Sequence, residues 1–214
     1  KAQIWNPVTA ERLNLALQDN GQTSTADLHL EANESAFIVF SNEQETELTD
    51  YSSTERETLL TIDTPWKVDF QKGMRGPDET YVMTELQTWD KNEDERIRYF
   101  SGTATYTNTF KLKKQPDQPV WIDLGRVMVM ARVYVNNQYA GGVWTSPYRL
   151  NIQHLLHKGT NTLRVEVVNN WQNRLIGDQK LPENERPTWT SVNPWRADSP
   201  LQESGLVGPV RLLQ

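Results

Sequence analysis

Between residues 120 and 169 apolar and polar positions alternate in short runs, each closed by residues suited to a turn. Val120, Ile122 and Leu124 alternate with Trp121 and Asp123. Past Gly125, Ala131, Val133 and Val135 fall on one face and Arg132 and Tyr134 on the other. A period of two marks a half-buried strand. Asn136-Asn137 sits where a two-residue hairpin needs positive φ, which Asn tolerates, so a hairpin is predicted that returns through Tyr139-Ala140. Gly141-Gly142 lets the returning strand bend or approach a neighbour closely. Pro147 cannot donate to a central ladder, which puts residues 144–147 in a loop or at an edge. Residues 154–158 read as one helical turn stopped by Gly159. Residues 162–169 resume the alternation, with Leu163, Val165 and Val167 inward and Arg164 and Glu166 outward; Trp171, following directly, is expected in the core.

Toward the N-terminus the signal thins. Trp5-Asn6-Pro7, the alternating Leu13, Leu15 and Leu17, Asp27-Leu28-His29-Leu30 and Ser35-Ala36-Phe37-Ile38-Val39-Phe40 read as strands separated by polar turns, with too little apolar material to close a core alone. They are expected to finish a sheet begun earlier in a longer polypeptide. The chain starts at Lys1 without Met or a signal pattern, which points the same way. Residues 41–60 are acidic and hydroxyl-rich, as a solvated connection would be. The expected organisation is therefore terminal strands of a preceding β-domain over residues 1–40, a polar linker over 41–60 and a main sandwich over 61–214. The last strand run contains Gly208-Pro209, suited to an edge strand or strand entry.

Composition narrows the function. A chain of 214 residues holds one good-sized domain, or one domain and a fragment. A net charge of -6 with no basic stripe argues against nucleic acid as a partner. No apolar run approaches the roughly 20 residues of a membrane span. Without cysteine there are no disulfides and no thiol chemistry. Eight Trp and seven Tyr suit both strands and carbohydrate-facing surfaces. Hydrolysis of a glycosidic bond needs two carboxylates about 5 to 10 Å apart; the 28 acidic residues offer many pairs, and no spacing selects one. His29, His154 and His157 are scattered and read as surface residues rather than metal ligands. No phosphate-cradling glycine loop, nucleophile elbow or nucleotide fingerprint is present.

Phe37-Ile38-Val39-Phe40, Pro65-Trp66-Lys67-Val68, Tyr99 to Tyr106 (YFSGTATY), Asp123-Leu124-Gly125 and Trp171 to Asp178 (WQNRLIGD) together resemble the C-terminal end of glycoside hydrolase family 106, the α-L-rhamnosidase-like enzymes of Bacteroidetes. The run Asn173 to Asp178, followed by Leu181-Pro182 and Pro187-Thr188-Trp189-Thr190, is the most specific part. The pattern Ala131 to Asn137 through Gly159 to Leu163 is similar more widely, to the sugar-binding domain of β-galactosidase and β-glucuronidase relatives. The resemblance implies an all-β fold, a galactose-binding-domain-like jelly-roll sandwich preceded by a few strands from an adjoining β-domain. It implies that the acid and base carboxylates lie on a barrel upstream of Lys1, so that this piece is a non-catalytic accessory domain in plant polysaccharide degradation. Its partner would be its own upstream catalytic barrel, with glycan as a further one, and its location periplasmic or secreted. An autonomous carbohydrate-binding module and a purely structural domain of a β-galactosidase/β-glucuronidase-type hydrolase are the alternatives. No cofactor is implied. Such sandwiches often hold a structural calcium, for which no ligand spacing is readable here.

Seven residues are candidates for contact with sugar. Trp189 and Trp195 lie in the irregular stretch 178–200, stiffened by Pro182, Pro187, Pro194 and Pro200. Two indole rings there form a platform for sugar C–H faces, or else pin the loop to the sandwich. Trp144 and Tyr148 flank Pro147 near a strand end, where jelly-roll ligands often bind, and the same two readings apply. Asn173, Arg174 and Asp178 can grip hydroxyls or a carboxylate. Alternatively an Arg174–Asp178 pair and backbone contacts fasten the long loop, or meet the upstream barrel.

Overall fold

Short strands and polar spacers dominate the first 56 residues of the computed structural model, which describes residues 1–42, 48–52 and 56–214. The chain divides into two units, Lys1–Arg56 and Glu57–Gln214. In the first, β1 (Ala2–Trp5) pairs antiparallel with β2 (Arg12–Leu15) and, on its other side, with β5 (Phe37–Phe40), while β3 (Gln18–Asp19) pairs with β4 (Ser24–Thr25). Asn6 shapes the first turn, its Oδ1 accepting from the backbone N–H of Val8 and Thr9. Ala2, Ile4 and Leu15 are buried, whereas Phe37 and Phe40 on the open edge strand are exposed. The strand predicted at Asp27-Leu28-His29-Leu30 does not form. Leu28 and Leu30 are exposed, and both backbone groups of His29 bond the Tyr51 hydroxyl rather than a ladder, at 2.9 and 3.1 Å.

The stretch read as a linker is more structured at its flanks than its composition suggests. Residues 43–47 and 53–55, within it, lie outside the described residues. Asp50 forms a parallel bridge to Asn14, and β6 (Thr58–Thr61) is a strand of the second unit, not linker. Its sequence Thr-Leu-Leu-Thr has no alternation to betray it. Its partner among the described residues, Arg211–Leu213, lies at the far C-terminus.

The second unit continues with β7 (Trp66–Phe70), β8 (Tyr81–Met83), the short helix α1 (Glu95–Arg98), β9 (Thr103–Leu112), β10 (Trp121–Asp123), β11 (Arg126–Met128) and β12 (Met130–Val135). After these come β13 (Gln138–Val143), β14 (Arg149–Asn151), β15 (Gly159–Val168), α2 (Gln172–Asp178), β16 (Gly205–Gly208) and β17 (Arg211–Leu213). One sheet has six strands in the order β13-β12-β15-β9-β7-β8. Against its inner face stand the four-stranded β14-β10-β17-β6 and the pair β11-β16. This is an all-β sandwich.

Register explains the core. Rows that cross the large sheet, Ala131–Val167–Ala104–Phe70 and Val133–Val165–Tyr106–Val68, are buried throughout and form one cluster with Ile122, Leu206 and Leu212 from the other layer. Alternation in strands of period two puts the intervening residues outside. The predicted hairpin is present: Asn136 and Asn137 take φ 52 and 64. The Asn136 side chain further donates to the Leu155 carbonyl and to Asn161 Oδ1, both at 2.8 Å, tying the hairpin to the one-turn helix Gln153–Leu155. Gly125 is held where a Cβ would lie 2.3 Å from the Gly208 backbone, so the β10–β11 corner admits no side chain.

Trp171 is 50% exposed rather than core. Alternation ends at Val168, because Asn169 turns the chain by accepting from Gly102 N and donating to the Phe100 carbonyl. Trp171 then stands at the N-cap position of α2.

Candidate functional site

The run Asn173 to Asp178, expected to border a loop, is the helix α2, and its three candidates face inward: Asn173 is 1%, Asp178 2% and Arg174 9% exposed. Asn173 grips the backbone of the returning chain. Its Nδ2 donates to the Gln202 carbonyl (2.7 Å) and to Ser204 Oγ (3.3 Å), and its Oδ1 accepts from Gln202 N (2.8 Å). Asp178 accepts from Thr188 N at 3.2 Å, which fixes the middle of the stretch 178–200. Arg174 Nη1 stands 3.8 Å from Asp178 Oδ1, and its Nη2 is buried without a hydrogen-bond partner. Burial holds this guanidinium below its ordinary pKa; nearby Arg75 adds to the effect and Asp178 opposes it.

The four aromatic candidates differ in exposure and surroundings. Trp189 is 87% exposed. Beside it, Thr188 is held by Asp178, so the loop is fixed through its backbone there and not by the indole. Trp195 is partly buried, with its backbone N–H bonded to Asn193 Oδ1. Tyr148 packs against the core and passes its carbonyl to Leu124 N. Trp144, one residue past the buried Val143, is 56% exposed at the edge of the six-stranded sheet.

The outer face of the six-stranded sheet is polar and holds none of the seven candidates in its paired rows. The outward rows of the large sheet are Arg132–Glu166–Thr105–Asp69, flanked by Met130–Val168–Thr103 on one side and Tyr134–Arg164–Thr107–Lys67 on the other. Asp69, Gln71, Thr103, Thr105, Arg132 and Glu166 line an open groove of about 300 Å³. Glu166 is held by Arg164 and by Arg132 Nε (3.2 Å), and Arg164 lies 3.6 Å over the Tyr134 ring. Asp69 Oδ1 accepts from the Thr80 hydroxyl at 2.6 Å. The signal available in the sequence was the outward half of the same alternation, which marks the inward half as core and leaves the outward half looking like ordinary surface.

Several of the described carboxylates are engaged by arginine. A general acid at neutral pH needs a raised pKa. Glu79 and Asp94 are displaced the other way, each lowered chiefly by hydrogen bonding to Arg96. Buried Asp123 is shared by Arg149 and Arg211, both at 3.1 Å, and caps Gly125 N. Among the described residues no group of three or more His, Asp or Glu side chains is placed to hold a metal ion. His154 and His157 are exposed. Among the described residues no helix is long and apolar enough to cross a membrane.

The sandwich, its strand order and its sequence place the chain in a known group. The profile of glycosyl hydrolase 2 galactose-binding-like domains matches residues 81–200, and the chain belongs to that family. It is similar to a Formosa agariphila protein that carries the name β-glucuronidase, with 36% identity over 154 residues, 60% of this chain and 13% of the relative. Among solved structures it is similar to the rhamnosidase from Novosphingobium sp. PP1Y, with a TM-score of 0.87 and 37% identity over 99% of this chain and 20% of that one. The β-glucuronidase of Ruminococcus gnavus shares the fold, with a TM-score of 0.52 and 18% identity over 75% of this chain and 29% of that one. The chain thus spans a small part of each of these proteins.

Proposed function

We infer that this chain is the galactose-binding-like accessory portion of a glycoside hydrolase of the α-L-rhamnosidase type, as in family 106 of Bacteroidetes, and that it supports catalysis without performing it. The observation that carries this reading is the likeness to the rhamnosidase, which extends over 99% of the chain, both units included, yet uses only 20% of the enzyme. The candidates on α2 act in the same sense: Asn173 and Asp178 spend their polar atoms fastening residues 188 and 202. A catalytic barrel elsewhere in the parent protein is the expected partner, and plant polysaccharide met in the periplasm or outside the cell is the expected setting. The relative named β-glucuronidase supports a second parentage, with the same accessory role.

The test is direct. The purified chain is assayed with chromogenic aryl α-L-rhamnoside and aryl β-D-glucuronide. No release above a boiled control is expected with either. Release that scales with protein concentration and survives repurification would refute the accessory role, and the substrate cleaved would name the parentage.

A further inference from the structure

The geometry points to the outer face of the six-stranded sheet as a glycan-binding groove, taking a neutral, hydroxyl-rich oligosaccharide laid across β12, β15, β9 and β7. This deepens the reading of the chain as part of a glycoside hydrolase and rests on it. The row Arg132–Glu166–Thr105–Asp69 crosses four strands, a reach of roughly 14 Å at the usual spacing between strands. That is room for a short oligosaccharide rather than a single ring.

The chemistry of the lining matches a polyol. Each sugar hydroxyl donates one hydrogen bond and accepts others, so a complementary surface offers both kinds of group side by side. Arg132 gives only Nε to Glu166, leaving its terminal nitrogens as donors to the groove. Gln71 Oε1 accepts from Thr103 N (3.1 Å), which leaves its amide N–H groups as donors. Asp69 uses Oδ1 for Thr80, leaving Oδ2 as an acceptor, and the hydroxyls of Thr103 and Thr105 serve either way.

Charge selects against ionic ligands. The lining carries Asp69 and Glu166 against Arg132, and Arg164 beside it is spent on Glu166, so the groove offers no excess positive charge to attract phosphate or uronate. Glu166 is already neutralised by two guanidinium groups. At the β13 side of the sheet the exposed Trp144 lies one position past the Val143–Ala131 pair. Its indole offers the flat apolar surface on which sugar C–H faces stack. The Tyr134 ring, by contrast, is covered on one face by Arg164.

Titration of the isotope-labelled full chain with neutral xylo-, cello- and galacto-oligosaccharides, and with oligogalacturonate as the acidic comparison, tests this by amide chemical shifts. A neutral oligosaccharide should move signals of residues 67–71, 103–107, 130–134 and 164–168. Arg132→Ala should weaken that binding about tenfold or more, as loss of a charge-assisted hydrogen bond does. Thr105→Val, which deletes a hydroxyl while keeping the shape, and Trp144→Ala should each weaken it several-fold, while Trp189→Ala should leave it unchanged. Preserved spectral dispersion shows that each variant is folded. The proposal is overturned if no neutral glycan shifts the groove signals of the folded chain, if the shifts map to residues 186–195 instead, or if oligogalacturonate is preferred. Product formation in the same tubes would refute the accessory reading and leave the groove standing; absence of binding without turnover would do the reverse.

Discussion

Replacing Tyr106 by Phe removes one oxygen atom from the centre of the sandwich and isolates the value of a buried polar link between its layers. The Tyr106 hydroxyl accepts from Trp89 Nε1 at 2.6 Å and from Leu206 N at 3.2 Å, and all three residues are 0% exposed. The ring would keep its edge-on contact with Trp66, 6.3 Å between centroids, so no cavity accompanies the change. Two N–H donors would be left buried without acceptors, each costing about 1–3 kcal/mol. The relieved desolvation of the hydroxyl offsets part of that. The expected loss is therefore roughly 2–4 kcal/mol, read as a lower urea midpoint with an unchanged slope in tryptophan fluorescence. Burial also pushes the Tyr106 phenol well above its ordinary pKa. A folded pKa raised above the unfolded value gives stability that is complete below about pH 10 and is lost as pH rises beyond it. The wild type should lose stability in that window more steeply than Tyr106→Phe. A loss under about 0.5 kcal/mol at neutral pH would refute the claim that this hydroxyl joins the layers.

Asp123→Ala should cost about 3–5 kcal/mol, because it removes the buried carboxylate that Arg149 and Arg211 share; thermal denaturation measures it. Trp189→Ala should change stability by less than about 0.5 kcal/mol, the indole being 87% exposed, and a larger loss in the same melt would show that the ring anchors the loop. Arg96 lowers the pKa of Asp94 and Glu79, so its stabilising effect is present above the ordinary carboxylate pKa and fades as pH falls through the lowered values. The difference between wild type and Arg96→Ala should accordingly be larger at pH 7 than at pH 3, and smaller in high salt.

The parts of the fold legible in the sequence are those where the neighbour is close along the chain or the alternation is unbroken. The Asn136-Asn137 hairpin and the inward Leu163, Val165 and Val167 needed only local rules. β6 was missed because its reason to be a strand, Arg211–Leu213, lies at the other end of the chain. The stretch Asp27 to Leu30 was misread because a single tyrosine hydroxyl 22 residues away satisfies the His29 backbone in place of a ladder. At the site, Asn173, Arg174 and Asp178 were picked out by residue type, and their inward orientation on α2 was hidden: a seven-residue helix whose N-cap side chain makes no capping bond carries little start signal. The groove residues come from β7, β9, β12 and β15, and only the register between those strands brings them together.

The accessory role is tested most directly on a natural glycan. Proton NMR follows the anomeric signals of a rhamnose-containing pectic oligosaccharide incubated with the purified chain for a day. The account predicts that these signals keep their intensities, with no new reducing-end resonances. New reducing-end signals that grow with time and protein concentration would contradict it, since this chain would then cleave glycans by itself.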